Sequence, residues 1–126
     1  MDDHGVGFGR IAATLGVTDM ARAYSFYADI LGLEKTFENG NPVQFMILKR
    51  GQAELHLILH PGHQAAGFNV AHMLVDDAAA LHARCQDAEV HVIKFLQDKD
   101  YGLRSFVIAD PDGNRIDIGQ ALVQEA

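Results

Sequence analysis

One hydrophobic pattern runs through this chain twice: a strand, a helix, then three strands. Residues 9–17 alternate, with Ile11, Ala13, Leu15 and Val17 on one face of a strand. Met20, Ala23, Tyr24, Tyr27 and Leu31 then recur at helical spacing. Thr18 or Asp19 can cap that helix, and Gly32 can end it in a left-handed conformation. Three strands follow near 34–38, 43–49 and 53–60. From residue 69 the order returns: a strand over 69–75, then a helix capped by Asp76 or Asp77 with Ala78, Leu81, Cys85 and Ala88 on one stripe. A short strand near 90–93 follows, then a polar loop from Gln97 to Gly102, and a hairpin of 104–109 with 114–120. Phe45-Met46-Ile47-Leu48 before Gly51 matches Phe106-Val107-Ile108-Ala109 before Gly113, with one extra turn residue. Such a repeat predicts an α+β fold of two βαβββ modules that bury their sheets together. One domain over 1–126 is expected, with module one at about 8–60, a linker at about 61–68 and module two at about 69–121.

Composition narrows the function classes. A net charge of −7 with scattered lysines and arginines lacks the basic footprint of nucleic-acid binding. It speaks for solubility, and secondarily for a cationic guest. No apolar stretch approaches the roughly 18–20 residues of a membrane helix. Met1 to Gly5 carries two acids and no apolar run, and Cys85 is the only cysteine, so a cytoplasmic protein without disulfides is expected.

Strand alternation singles out the residues with chemistry. Glu54, His56, Ile58 and His60 face away from Leu55, Leu57 and Leu59. His72 opposes Met73 and Val75, and Asp117 opposes Ile116 and Ile118. His56 and His72 read equally well as polar residues bonded to a carboxylate; Glu54 and Asp117 are the candidates for His56. Asp117 needs a donor, for which Arg115 and His56 are candidates. His4, His63, His82 and His91 fall on expected termini, loops or helix faces and read as solvated. Phe37, Phe45, Phe68, Phe95 and Tyr101 are core or ligand platforms. Cys85 reads as core. Ser25 and Ser105 lack a nucleophile motif, and no glycine-rich phosphate loop occurs.

Several segments resemble the vicinal oxygen chelate superfamily of glyoxalases, bleomycin-resistance proteins and ring-cleaving dioxygenases. They are Val17-Thr18-Asp19-Met20 to Phe26-Tyr27 with Leu31-Gly32-Leu33, and Asp110-Pro111-Asp112-Gly113-Asn114. The similarity spans about residues 8–121. Phe45 to Gly51, Leu55-His56-Leu57, His60-Pro61-Gly62 and Tyr101 to Phe106 resemble the bleomycin-resistance-like branch, although many relatives carry Trp where this chain has Tyr101. The resemblance implies a curved mixed sheet around a cavity. In metal-dependent members four cavity side chains bind a divalent metal, and those slots fall on Ala12, His56, Val70 and Asp117. Ala12 and Val70 cannot ligate, so no cofactor is expected; a shifted site of His56, His72 and Asp117 is the remaining way to hold a divalent metal.

The reading is therefore a small-molecule-binding protein that sequesters an antibiotic-like or other bulky ligand without a catalytic metal. Its alternative is a glyoxalase-like metal-dependent lyase or isomerase, or a dioxygenase-like enzyme. The expected ligand-binding residues are His56, His72, Asp117 and Phe45, with Tyr101 at the mouth. Apolar cavity positions such as Ile58, Val70 and Leu74 call for a covering surface, so a homodimer is expected, with arm exchange through 61–68 as one route. Sedimentation at micromolar concentration should show a dimer; a pure monomer would sink that expectation.

Overall fold

Each module builds its own open sheet, in which the first strand pairs in parallel with the last. The computed structural model of the chain describes residues 5–122; His4 lies outside them. Module one contains β1 (Ala13–Val17), α1 (Met20–Asp29), β2 (Glu34–Asn39), β3 (Phe45–Arg50) and β4 (Ala53–Leu59). Module two contains β5 (Asn69–Leu74), α2 (Ala78–Asp87), β6 (His91–Asp98), β7 (Leu103–Ala109) and β8 (Arg115–Ala121). The sheets run β1-β4-β3-β2 and β5-β8-β7-β6, with β1 parallel to β4 and β5 parallel to β8. This is the α+β fold of paired βαβββ modules. Among the described residues, no helix is long and apolar enough to cross a membrane.

The helices start where side-chain oxygens can accept free backbone N–H groups. Asp19 accepts from Arg22 N at 3.0 Å, and Asp77 from Ala80 N at 3.0 Å. At the end of α1, Gly32 takes φ +73° and Leu33 N bonds back to the Tyr27 carbonyl at 3.0 Å. The helices cover one face of each sheet. Leu48, Leu57, Ile108 and Ile118 are fully buried there, and each such side chain contributes about 1.5–3 kcal/mol.

Some elements differ from the sequence reading. Ile11 precedes β1 and stands 96% exposed, because the strand begins only at Ala13. Phe26 is buried on α1, while Tyr24 is only half-buried. The strand expected over 90–93 extends to Asp98, because β6 keeps pairing with β7 past two register shifts. Gln97 and Asp98 thus belong to a strand. Two histidines expected in solvent are held instead. The His82 ring meets the Phe106 and Phe95 edges and accepts from Leu96 N, and His63 is 2.8 Å from Asn114.

His63 belongs to a polar network that joins the modules. The turn between β7 and β8 buries Asp110, and its carboxylate is fully engaged. Asp110 Oδ1 accepts from Asp112 N and Asn114 N, both at 2.9 Å. Oδ2 accepts from the Tyr27 hydroxyl at 2.7 Å and from Asn114 Nδ2 at 3.0 Å. Asn114 Nδ2 also donates to the Gly16 carbonyl at 2.9 Å. A Cβ at Gly16 would run into the His63 imidazole, so glycine is required for this close approach. Beside it, Asp112 Oδ1 accepts from Thr18 and from Arg22.

Burial pushes the Tyr27 phenol well above its ordinary pKa, and the Asp110 charge and hydrogen bond push it further. Tyr27 therefore stays a donor. The unfolded chain ionises first, so this contribution is present below about pH 10 and is lost as pH rises through the raised folded value. Tyr27→Phe should lower stability by about 1–3 kcal/mol and flatten that alkaline decline. Denaturant unfolding followed by circular dichroism checks both; an unchanged midpoint would show that the bond contributes nothing.

Candidate functional site

The face of each sheet away from the helices stays open, and the register decides what it displays. On the first sheet, His56 lies opposite Ile47 and Thr14, while Ile58 lies opposite Phe45. Residues i and i+2 share a face about 6–7 Å apart, and the long side chains of His56 and Glu54 close that gap. His56 Nε2 donates to Glu54 Oε2 at 2.7 Å. Arg10 and Lys49 approach the other carboxylate oxygen at 3.4 Å and 3.7 Å. The His56 hydrogen bond is the main cause of a Glu54 pKa below the usual carboxylate range, with Lys49 and Arg10 adding to it against a desolvation that raises it. The Phe45 ring meets His56 edge-on at 5.5 Å and Phe37 at 6.3 Å.

On the second sheet, His72 and Asp117 are direct partners across the β5–β8 ladder. His72 Nδ1 donates to Asp117 Oδ2 at 2.9 Å. Asp117 thus finds its donor in His72. Arg115 reaches the Gly67 carbonyl instead.

The modules meet where β1 lies against β5. A cavity of about 600 Å³ opens there, lined among others by Ala12, Glu54, Leu55, Val70, His72 and Met73. Its wall is mainly apolar, with Glu54 and His72 among its few polar groups. A smaller pocket of about 80 Å³ on the second sheet is bordered by Asp117 and Tyr101. The five residues expected to bind ligand are therefore not gathered in one place. His72 borders the larger cavity, and Asp117 and Tyr101 border the smaller one. His56 and Phe45 form a cluster on the first sheet outside both. Alternation put Glu54 on the same face as His56, but only the packing of the modules makes Glu54 the one that reaches the cavity. Lys94 and Lys99, on the smaller pocket, carried no sequence signal beyond lying before and within a polar loop.

The donors do not suit a metal. Ala12 and Val70 offer no ligating atom, and His56 and Asp117 are each engaged by a partner of their own sheet. Among the described residues, no three His, Cys, Asp or Glu side chains gather into a group that could hold an ion. That includes the shifted set of His56, His72 and Asp117, which sit on two different sheets.

The Glu54 carboxyl carbon, followed by NMR, should titrate below the ordinary glutamate midpoint. In His56→Ala that midpoint should move up toward the ordinary value. A wild-type midpoint at the ordinary value would show that the His56–Glu54 bond is not maintained in solution.

Known proteins share this fold. The bleomycin-binding protein from bleomycin-producing Streptomyces verticillus, solved with copper(II)-bleomycin, superposes with a TM-score of 0.73 at 26% identity, covering 94% of this chain and 99% of that one. A lactoylglutathione lyase from Agrobacterium tumefaciens gives 0.71 at 25% identity, covering 89% and 92%. TioX from Micromonospora sp. ML1 gives 0.75 at 19% identity, covering 92% and 100%. No curated protein sequence matches the chain. The profile of the Glyoxalase/Bleomycin resistance protein/Dioxygenase superfamily matches residues 7–118, nearly the whole described chain, and the chain belongs to that superfamily.

Proposed function

We propose that this protein binds a bulky, antibiotic-like organic molecule at the junction of its two modules, and holds it without a catalytic metal. The observation that carries this reading is the inter-module cavity. Its volume of about 600 Å³ falls within the roughly 300–1,000 Å³ of small-molecule sites, which combine apolar walls with a few orienting polar groups. Glu54 and His72 are those groups here, each oriented by a bond to its partner. The likeness to a bleomycin-binding protein at 26% identity supports a binding role.

The open faces also favour a homodimer. Ile58 is 45% exposed and Leu74 63% exposed, and apolar surface of this kind marks an interaction site. A second copy laid over these faces would cover them and complete the wall around the guest.

A glyoxalase-like reaction has the lactoylglutathione lyase likeness in its favour. It needs a group to polarise a carbonyl and a carboxylate to move a proton. Alanine and valine occupy two of the four ligand positions. Glu54, the carboxylate on the cavity, is held below the usual pKa range, which weakens it as a base. Sequestration is the better-supported reading, and the same missing ligands count against a dioxygenase-like reaction.

A fragment screen read by NMR on the full-length protein tests it. Aromatic fragments should shift resonances of Ala12, Val70 and His72, and binding should persist in excess chelator. Val70→Phe, which fills the cavity, should weaken binding by about tenfold or more. Fragments that perturb only the outer helix faces, or binding abolished by chelator, would overturn the proposal.

A further inference from the structure

In a chain with a net charge of −7, most basic side chains would be expected to find an acid. Several do: Arg10 pairs with Glu54, Arg22 with Asp112 and Arg104 with Asp98. The chain has four lysines. Lys35 pairs with Glu38 at 3.2 Å and Lys49 with Glu54 at 3.7 Å. Lys94 and Lys99 form no ion pair or side-chain hydrogen bond among the described residues. Both border the same pocket of about 80 Å³, together with Asn69, Tyr101, Ser105 and Asp117.

The fold holds this pair in place. Lys94 lies opposite Val107 in the β6–β7 ladder. Lys99 begins the turn that joins those strands. Its N–H bonds to the Leu103 carbonyl at 2.6 Å, and its carbonyl accepts from Gly102 N at 3.2 Å. Gly102 takes φ +83°, a conformation that side chains resist, and so fixes the turn that carries Tyr101. Two acids flank Lys99 in the chain, and neither pairs with it: Arg104 grips both oxygens of Asp98, at 2.8 Å and 3.3 Å, and Asp100 is exposed in the turn and does not line the pocket. That grip holds the Asp98 carboxyl below its ordinary pKa. The Tyr101 and Ser105 hydroxyls form no hydrogen bond among the described residues. Asp117 is the one carboxylate on this pocket, and its Oδ2 is engaged by His72.

Two lysines without an acidic partner among the described residues border one small volume, and an anion placed in it would be attracted to both. Two free hydroxyls at the same pocket supply the donors an oxyanion needs. We propose that this pocket is an anion site on the open face of the second sheet, taking an oxyanion group, carboxylate or phosphate, of the bound molecule. Lys94 and Lys99 supply the charge, and Tyr101 and Ser105 the hydrogen bonds. The volume admits one such group and not a whole guest. The proposal rests on the binding reading above only for the claim that the anion belongs to a larger molecule.

The test is an NMR titration of the full-length protein with sodium phosphate, and separately with sodium acetate. Ionic strength is held constant with sodium chloride, because surface attraction is screened by salt. The amides of Lys99, Tyr101 and Ser105 should shift saturably with at least one of these anions. Saturation by phosphate alone assigns a tetrahedral oxyanion, and saturation by acetate alone a carboxylate; either supports the site. K94Q/K99Q should weaken binding by about tenfold or more, K94R/K99R should retain it, and K35Q should leave it unchanged. D117N should tighten it by removing the opposing charge. K94Q alone, at an exposed position, guards against misfolding of the double variant. Shifts that grow linearly and match those in chloride would overturn the site, as would wild-type affinity in K94Q/K99Q. Fragment binding at the inter-module cavity without any anion response overturns this pocket and leaves the binding reading intact. An anion response without fragment binding does the reverse.

Discussion

The carboxylate of Asp110 is the point on which the two modules depend. An isolated ionised carboxylate is very costly to bury, yet Asp110 is only 5% exposed. Its burial is tolerable because four donors meet it, and one of them, the Tyr27 hydroxyl, comes from the other module. Asn114 carries the connection onward to Gly16 and His63. A turn in module two is thereby fastened to a helix, a strand and the linker of module one. Apolar contacts supply most of the folding free energy, but they are nearly indifferent to small sliding movements. Directional bonds to a buried charge are not, and they fix how β1 sits against β5.

That fixed relation creates the inter-module cavity. With the helices covering one face of each sheet, the other faces stay open, and their polar groups are satisfied locally. His56 is paired with Glu54 within one strand, and His72 with Asp117 across one ladder. Neither pair needs the other module, so neither draws the faces together. Leu74 and Ile58 are left uncovered beside them, which suits a face that a guest or a second copy of the chain would cover.

The same local pairing keeps His56, His72 and Asp117 from gathering at one point among the described residues. A metal site needs donors converging from both modules at about 2 Å from one point. Here alanine and valine occupy two positions on the junction, and each histidine is turned toward a carboxylate on its own sheet. The junction is consequently mainly apolar, with Glu54 and His72 among its few polar groups.

Much of this was legible in the sequence. The repeated strand–helix–strands order reads directly from hydrophobic periodicity, because period 2 and period 3.6 are properties of the local backbone. The capping by Asp19, the end of α1 at Gly32 and the Asp110-to-Asn114 turn are equally local. Alternation also placed His56, His72 and Asp117 on the faces opposite the buried stripes. What periodicity does not contain is distance between residues far apart in the chain. His63 and Asn114 are 51 positions apart and Tyr27 and Asp110 are 83 apart, and no local pattern announces either bond. The separation of His56 from the His72–Asp117 pair, the extension of β6 to Asp98, and the placing of Lys94 and Lys99 on one pocket likewise depend on how strands register and how the modules pack. The sequence by itself determined which side chains face outward on each strand. Tertiary structure alone decided which of them meet, because register and the buried Asp110 contacts set the distances that make a site.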